Sequence, residues 1–109
     1  MVCLVDFKRG MGGELSGKHY AIIITTIKKS DNTVVVVPLT SKKRGKKYRN
    51  GFTIDCTKYQ TAPTHEKAFA MVDKIREISR YRIYGEKVYM LDNDDVMTLN
   101  NKIKSVLAK

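Results

Sequence analysis

Two runs of β-branched residues, separated by a short polar turn, limit most strongly what this chain can fold into. Tyr20–Thr26 and Thr33–Val37 consist almost entirely of isoleucine, valine and threonine, and Lys29–Asn32 lies between them. β-Branched residues favour strands, and two strands joined by a short turn form a hairpin. Both runs are apolar enough to be buried on both faces, and Pro38 is predicted to end the second. The pattern therefore places a β hairpin at the centre of the core.

The rest of the chain adds short strands and one helix. Alternating or apolar segments predict strands over Val2–Phe7, Phe52–Asp55 and Ala68–Val72. Asp92 is a candidate helix N-cap with Asp95 three residues later. The apolar stripe of that helix is Val96, Leu99, Ile103 and either Val106 or Leu107. With no repeat and no linker, residues 1–109 are expected to form one mainly β domain, a curled antiparallel sheet or small barrel closed by a C-terminal helix.

The charge of the chain points to a polyanionic partner. Lysine and arginine number 21 against 11 acidic residues in 109, a net charge of +10. Such a field attracts nucleic acid at long range. Much of it lies in one run, 42–49, which is predicted to form an exposed, mobile loop. The candidate RNA-binding cations of that run are Lys42, Lys43, Arg44, Lys46, Lys47 and Arg49. The alternative is a basic, soluble protein whose charge serves no partner.

Several other classes of protein are disfavoured. No stretch is apolar for long enough to span a bilayer, and Asp6 interrupts any signal-peptide core, so a cytoplasmic location is expected. Cys3 and Cys56 are too few and too far apart for a zinc spacing, and are expected to be buried, reduced thiols. With only His19 and His65 to add, no metal site is expected. The glycines between 8 and 18 lack the G-x-G-x-x-G spacing, so no dinucleotide cofactor is expected either.

The predicted hairpin brings candidate site residues together. The start of its first strand lies beside the end of its second, so His19 should face Thr40 across the pair. Thr40 and Ser41 hydroxyls can bind phosphate oxygens, and Lys18 can supply charge. His19 can take and give protons near neutral pH. Because RNA carries its own nucleophile in the 2′-hydroxyl, a base, an acid and cationic stabilisation would suffice to cut it without a metal.

Each of these features also has a purely structural interpretation. A histidine at the start of a strand is more often a hydrogen-bonded structural residue. Thr-Ser after a strand is a common turn, and a lysine and arginine run is usually a solvated loop. The residues alone therefore predict that the chain binds nucleic acid. They are compatible with RNA cleavage but do not predict it.

The order of several motifs resembles one known family. These are Val5–Phe7, Gly13–Ile24 with its G-x-E-x-x-G-type loop, and Val34–Ser41 with its Pro-x-Thr-Ser ending. Val72–Ile78 followed by Arg82-Ile83, a strand over Lys87–Met90 and the Leu91-Asp92 start of the last helix continue the likeness. Together they cover most of the chain and resemble the MazF/PemK family, also called Kid-like, of toxins from type II toxin–antitoxin systems.

The resemblance implies a dimeric, SH3-like antiparallel barrel that cleaves single-stranded RNA at short sequences, without metal. It also implies a cognate acidic antitoxin that occupies the RNA groove. The family's catalytic threonine matches Thr40, with Ser41 beside it. Arg76 matches the arginine of the family's I-R-T segment, in a structural or phosphate-facing role. Asp73 falls where some members place an acid, although a salt bridge near Arg76 would explain it as well.

The sequence departs from the family at one important place. Where the family has Gly-x-Arg-Pro, this chain reads Gly17-Lys18-His19-Tyr20. Either His19 replaces the arginine in proton transfer, or Lys18 supplies the charge, or activity is reduced.

Three functions remain as hypotheses. The first is a metal-independent endoribonuclease toxin. In it His19 acts in proton transfer, Thr40 and Ser41 hold the phosphate, and Lys18, Arg76 and the basic loop bind RNA. The second is a non-catalytic RNA- or DNA-binding module, which predicts salt-sensitive binding without cleavage. The third is a toxin of the same fold that acts on DNA gyrase, since fold alone does not decide the target. The Thr40-Ser41 ending favours the first.

Overall fold

Seven strands and one long helix make up the computed structural model, which describes residues 1–7, 17–24 and 32–107. The strands are β1 (Val2–Phe7), β2 (Gly17–Ile23), β3 (Thr33–Ser41), β4 (Phe52–Asp55), β5 (Lys67–Ala70), β6 (Arg76–Ser79) and β7 (Ile83–Tyr89). Helix α1 spans Asn93–Leu107, and short 3-10 helices cover Cys56–Lys58, Val72–Lys74 and Arg80–Arg82.

The strands pair in the order β4-β5-β3-β2-β1-β7, and β6 pairs with β3 as well. Every one of these pairs is antiparallel. Helix α1 packs against β4 and the 3-10 helix Val72–Lys74. Among the described residues β4 and β7 are the two ends of the strand path, so the arrangement is a curled sheet with a C-terminal helix across it. The predicted fold class is confirmed.

The predicted central hairpin is confirmed in its pairing. β2 and β3 pair through Ala21 with Pro38, Ile22 with Val37, and Ile23 with Val36. All of these are buried, so both faces of β2 are covered here, as expected. β2 begins at Gly17, earlier than predicted. Residues 8–16 and 25–31, which include most of the predicted glycine-rich loop and polar turn, lie outside the described residues.

The prediction that Pro38 ends the second strand is wrong. β3 runs through Pro38 to Ser41; its pairing with β2 ends at Pro38, and on its opposite edge the partner changes from β6 to β5. Pro38 is the last residue paired with β2, and from Leu39 onward β3 pairs with β5. A proline has no N–H to donate, so it is tolerated where a strand passes from one partner to another. Its carbonyl still accepts a hydrogen bond from the Met71 N–H at 2.9 Å.

The core lies on both sides of the central strands. One cluster contains Val2, Ile22, Val37, Ile54 and Leu99, and thus joins the sheet to α1. The other is built around Val5, Phe7, Ala21, Val36 and Ile78. This two-sided burial follows from the nearly continuous apolar sequence of β1, β2 and β3.

The C-terminal helix forms as predicted. The Asp95 N–H donates to Asp92 Oδ1 at 2.9 Å, which satisfies one of the free donors of the first turn. Leu99 is buried, and Val106 rather than Leu107 completes the apolar stripe against the core. In the described ranges no helix is long and apolar enough to cross a membrane.

Two other segments differ from prediction by a few residues. The strand predicted over Ala68–Val72 is β5, Lys67–Ala70, because the chain turns into a 3-10 helix at Val72. The one predicted over Lys87–Met90 is the end of the longer β7. Cys3 and Cys56 are both buried, free thiols, as expected, and burial raises the pKa of each.

Candidate nucleic-acid-binding groove

A groove opens where β2 and β3 separate. Continuing their register past Ala21 and Pro38 would set His19 opposite Thr40. The pairs of β2 and β3 instead end at Ala21 and Pro38, and a cavity of about 430 Å³ lies beyond them. Lys18, His19, Thr40 and Ser41 all line this cavity, which we call the groove. The structure thus brings together four of the residues that the sequence singled out.

His19 is held from one side by the core. It lies opposite Val5 on β1, and its ring meets the Phe7 ring edge-on, with the centroids 6.1 Å apart and the planes at 62°. Phe7 and His19 are diagonal neighbours on one face of the β1–β2 pair. Phe7 is fully buried, whereas His19 is half-buried. The imidazole therefore packs against the core, and His19 also lines the groove.

Aromatic rings surround the cationic side of the groove. The Lys18 ammonium lies 4.6 Å from the centroid of the Tyr84 ring, a cation–π distance. Tyr20, 49% exposed, also lines the groove and offers a surface on which a base could stack. Tyr89 lines it too; burial raises the pKa of its hydroxyl, a group that already donates hydrogen bonds at neutral pH.

The wall behind Tyr89 is tied to the start of α1. The rings of Tyr89 and Tyr59 stack with centroids 4.6 Å apart and planes at 8°. The Tyr59 hydroxyl donates to Asp95 and accepts from the Asp92 N–H at 3.0 Å. Lys58 forms ion pairs with both of these aspartates. The helix N-terminus is therefore a support for the groove.

A second cavity of about 520 Å³ continues from the groove. Its cations are Lys42, Lys43, Arg44, Lys46 and Lys67, and we call it the basin. Thr64 and His65 line both the groove and the basin, so the two cavities are adjacent. Two other predicted RNA-binding cations, Lys47 and Arg49, are exposed on the same loop but line neither cavity.

The basic loop is exposed, as predicted, and it also contacts the end of β3 and β5. Tyr48 is half-buried, and its ring packs on Phe69 with the centroids 4.9 Å apart. Its hydroxyl accepts from the Lys43 N–H at 2.8 Å and donates to the Ser41 carbonyl at 3.2 Å. Lys42 Nζ also donates to Thr53 Oγ1 at 2.7 Å. These contacts join the run to the end of β3, and the expected mobility of the loop stays a prediction.

Arg76 and Asp73 lie away from the groove. Arg76 is paired with Val36 on β3, and its guanidinium carbon lies 5.9 Å from the Phe7 ring centroid. It lines neither cavity. Asp73 is exposed and accepts from the Asn50 side-chain amide at 3.5 Å. Arg76 therefore packs on Phe7, the ring that also contacts His19.

Sequence reasoning missed part of the lining. It considered His65 only as a metal ligand and did not select Tyr20, Gln60, Thr64, Val88 or Tyr89. The segment 60–66 has no periodicity, and only the partner change of β3 brings it beside the hairpin. No group of three or more His, Cys, Asp or Glu side chains among the described residues could hold a metal ion.

Comparison with known proteins gives one family match. The model of the family described as PemK-like, MazF-like toxin of type II toxin-antitoxin system matches residues 1–107. A search of curated protein sequences gives no match.

Solved structures share the fold at low sequence identity. The Mycobacterium tuberculosis toxin MazF-mt6 is 15% identical, with a TM-score of 0.71 over 98% of this chain and 95% of that one. MazF from Deinococcus radiodurans is 19% identical, with a TM-score of 0.72 over 99% of this chain and 93% of that one. An endoribonuclease in complex with its cognate antitoxin, from a Mycobacterial species, is 15% identical, with a TM-score of 0.65 over 98% and 90%.

Proposed function

We propose, from the premise that this chain belongs to the PemK-like, MazF-like toxin family of type II toxin–antitoxin systems, that it is a metal-independent endoribonuclease toxin acting on single-stranded RNA. The observation that carries the proposal is the groove, in which Lys18, His19, Thr40 and Ser41 surround one space. The solved relative that is an endoribonuclease bound to its cognate antitoxin supports the same class of function.

The groove offers the groups that the reaction needs. Thr40 and Ser41 donate hydrogen bonds to the non-bridging oxygens of the scissile phosphate. Lys18 supplies positive charge as the pentavalent phosphorane forms. His19 removes the proton of the 2′-hydroxyl, whose oxygen then attacks phosphorus. In this scheme Arg76 is a positioning residue, because it packs on Phe7, which in turn holds the His19 ring.

The basin extends the binding surface beyond one phosphate. Its cations adjoin the groove, so RNA seated at His19 can continue onto the basic loop. Contacts to phosphates fix the register of a strand without reading its sequence. Lys47 and Arg49 add charge at the outer edge of that path.

Two protein partners belong to the proposal. A cognate antitoxin, as in the solved relative, would bind here through acidic segments that compete with RNA for the same cations. We also expect a homodimer, as the family implies, acting in the cytoplasm, where mRNA and the antitoxin occur. Sedimentation of the pure protein checks the dimer.

The direct test is cleavage of a long RNA in excess chelator. Discrete fragments should form, and their yield should fall at least about 100-fold in His19→Ala and in Thr40→Ala. Thr61→Ala, on an exposed residue that lines neither cavity, is the matched control and should cleave normally. Intact RNA that is nevertheless bound would instead favour a non-catalytic binding module. Inhibited supercoiling with untouched RNA would favour a gyrase poison.

A further inference from the structure

We infer that His65 is the general acid of the groove, and that it donates the proton to the leaving 5′-oxygen while His19 removes the proton of the 2′-hydroxyl. The inference rests on the proposed function and deepens it. Its first support is position: His65 lines the groove together with His19 and lines the basin as well. It therefore stands where a strand would pass from one cavity to the other.

Backbone hydrogen bonds tether the chain directly after His65. The Cys56 N–H donates to the carbonyl of Glu66, the next residue, at 2.8 Å. The Lys42 N–H donates to the carbonyl of Lys67 at 3.0 Å. These bonds tie the segment that carries His65 both to the floor of the groove and to the first residue of the basic loop. Two backbone hydrogen bonds directly after His65 in the chain therefore tether the segment that carries it at the junction.

The chemistry needs a second proton-transfer group. The 2′-oxygen forms a bond to phosphorus, and the bond from phosphorus to the 5′-oxygen breaks. The 2′-hydroxyl proton goes to neutral His19, and protonated His65 gives its proton to the departing 5′-oxygen. The products are a 2′,3′-cyclic phosphate and a free 5′-hydroxyl, and water exchange restores both histidines. Histidine suits both steps, because its ordinary pKa lies near neutral pH.

The choice of His65 rather than His19 as the acid follows from the direction in which the RNA strand would run from the groove to the basin. His19 is half-buried against Phe7, whereas His65 is exposed beside the basin cations. The nucleotide that leaves with the 5′-oxygen continues the strand. If its phosphates bind the basin, the 5′-oxygen lies nearer to His65 than to His19.

Charged groups face His65 from several elements. From the basic loop and β5 these are Lys42, Lys43, Arg44, Lys46 and Lys67, with Glu66 beside it. Across the groove are Lys18 and His19. Phosphates bound in the two cavities would neutralise part of this positive field.

The first experiment compares two substitutions in the same segment. In His65→Ala the single-turnover cleavage rate of a short RNA should fall about 100- to 10,000-fold, with the RNA dissociation constant changed less than about threefold. Thr61→Ala should leave both unchanged. His65→Asn guards against misfolding and should behave like the alanine variant. Cleavage by folded His65→Ala within threefold of the wild type would overturn the inference.

The second experiment identifies the acid. An RNA with sulfur in place of the bridging 5′-oxygen has a leaving group that needs no protonation. This substrate should restore most of the lost rate in His65→Ala and none in His19→Ala. Restoration of His19→Ala instead, or of neither variant, would contradict the assignment of His65 as the acid.

The third readout is the pH dependence of the rate. With the oxygen substrate, wild-type protein should show a bell-shaped profile, and His65→Asn should lose the fall on the alkaline side. An unchanged bell in His65→Asn would contradict the inference. If the wild type cleaves no RNA at all, the proposed function itself fails. If the wild type cleaves and His65 substitutions have no effect, only the inference fails.

Discussion

The Phe7 ring links the core to the groove at the scale of single residues. It is fully buried, it meets the edge of the His19 ring, and the Arg76 guanidinium lies over it. Phe7→Leu keeps most of the apolar volume, so the free energy of unfolding should fall by only about 1 kcal/mol. RNA cleavage should fall by more than the loss of folded protein accounts for, because the His19 imidazole loses its contact with the Phe7 ring.

Urea unfolding and single-turnover cleavage measure the two effects separately. Val34→Ala, in the same core cluster but away from His19, is the control for stability alone. If the two variants show equal cleavage at equal fraction folded, Phe7 has no positioning role.

Gly51 is a residue where a single methyl group should be costly. A Cβ built there would lie 1.9 Å from the Ala70 carbonyl oxygen and 2.8 Å from the Phe69 ring. Gly51→Ala should therefore lower the free energy of unfolding by about 1–3 kcal/mol or more, since the pairing of β4 with β5 must shift.

Gly45 provides the contrast in the basic loop. Its φ of +81° is unfavourable for alanine, but no atom lies within 4 Å of the added Cβ. Gly45→Ala should cost about 1 kcal/mol through backbone strain alone. Chemical denaturation should show Gly51→Ala as the less stable variant, and the reverse order would contradict the contact geometry.

At the scale of elements, Tyr48 fastens the basic loop to β3. Tyr48→Phe keeps the ring on Phe69 but removes both hydroxyl hydrogen bonds, to the Lys43 N–H and the Ser41 carbonyl. Trypsin, which cuts after lysine and arginine, should then cleave within 42–49 several-fold faster. RNA affinity should also weaken, because loop ordering becomes part of binding.

Tyr81→Phe is the matched control, because Tyr81 is 77% exposed. Equal proteolysis rates in the two variants would mean that the tyrosine hydroxyl does not hold the loop.

The start of α1 should make stability depend on pH. The pKa of Asp92 is held below its usual range, mainly by the Lys58 ammonium and secondly by the Asp95 N–H. A carboxylate with a lowered folded pKa stabilises the protein above its unfolded pKa, near 4, and this stabilisation is lost as pH falls through the folded pKa.

Asp92→Asn keeps an N-cap side chain but removes the charge. Thermal melts from pH 6 to pH 2 should fall less steeply for this variant than for the wild type. Asp94→Asn, at an exposed position on the same turn, should retain the wild-type slope. A wild-type slope in Asp92→Asn would contradict the ion pair.

The same elements show what the sequence could and could not predict. The hairpin of β2 and β3, the strand β4 and the capped helix follow from β-branched runs, alternation and an Asp N-cap, which are local signals. The prediction at Pro38 was wrong because proline usually ends a strand, whereas β3 continues through Pro38 and exchanges β6 for β5 on one edge. His65 was missed because its place in the groove depends on the pairing of β5 with β3, and no local pattern encodes that pairing.

At the scale of the whole molecule, the net charge of +10 should govern how tightly RNA binds. Each phosphate that the protein neutralises releases counterions, so the logarithm of the binding constant falls linearly with the logarithm of salt concentration, with a slope of about −0.7 per contact for single strands. Lys43→Gln in the basin should reduce the steepness by about 0.7. Fluorescence titration at several salt concentrations measures the slope.

Lys102→Gln removes an equal charge from the exposed face of α1, away from both cavities. If the basin binds RNA, this variant should keep the wild-type slope. Equal changes in the two variants would mean that net charge, rather than the basin, sets the affinity.

We propose that the groove cleaves RNA through the RNA's own 2′-hydroxyl. The most direct measurement uses two oligonucleotides of the same cleavable sequence, one all-RNA and one with a single 2′-deoxy nucleotide on the 5′ side of the scissile phosphate. In excess chelator the first should be cut to a 2′,3′-cyclic phosphate and a 5′-hydroxyl, while the second binds with similar affinity and stays intact. Cleavage of the deoxy-substituted strand at that site, or no cleavage of either by folded protein, would contradict the account.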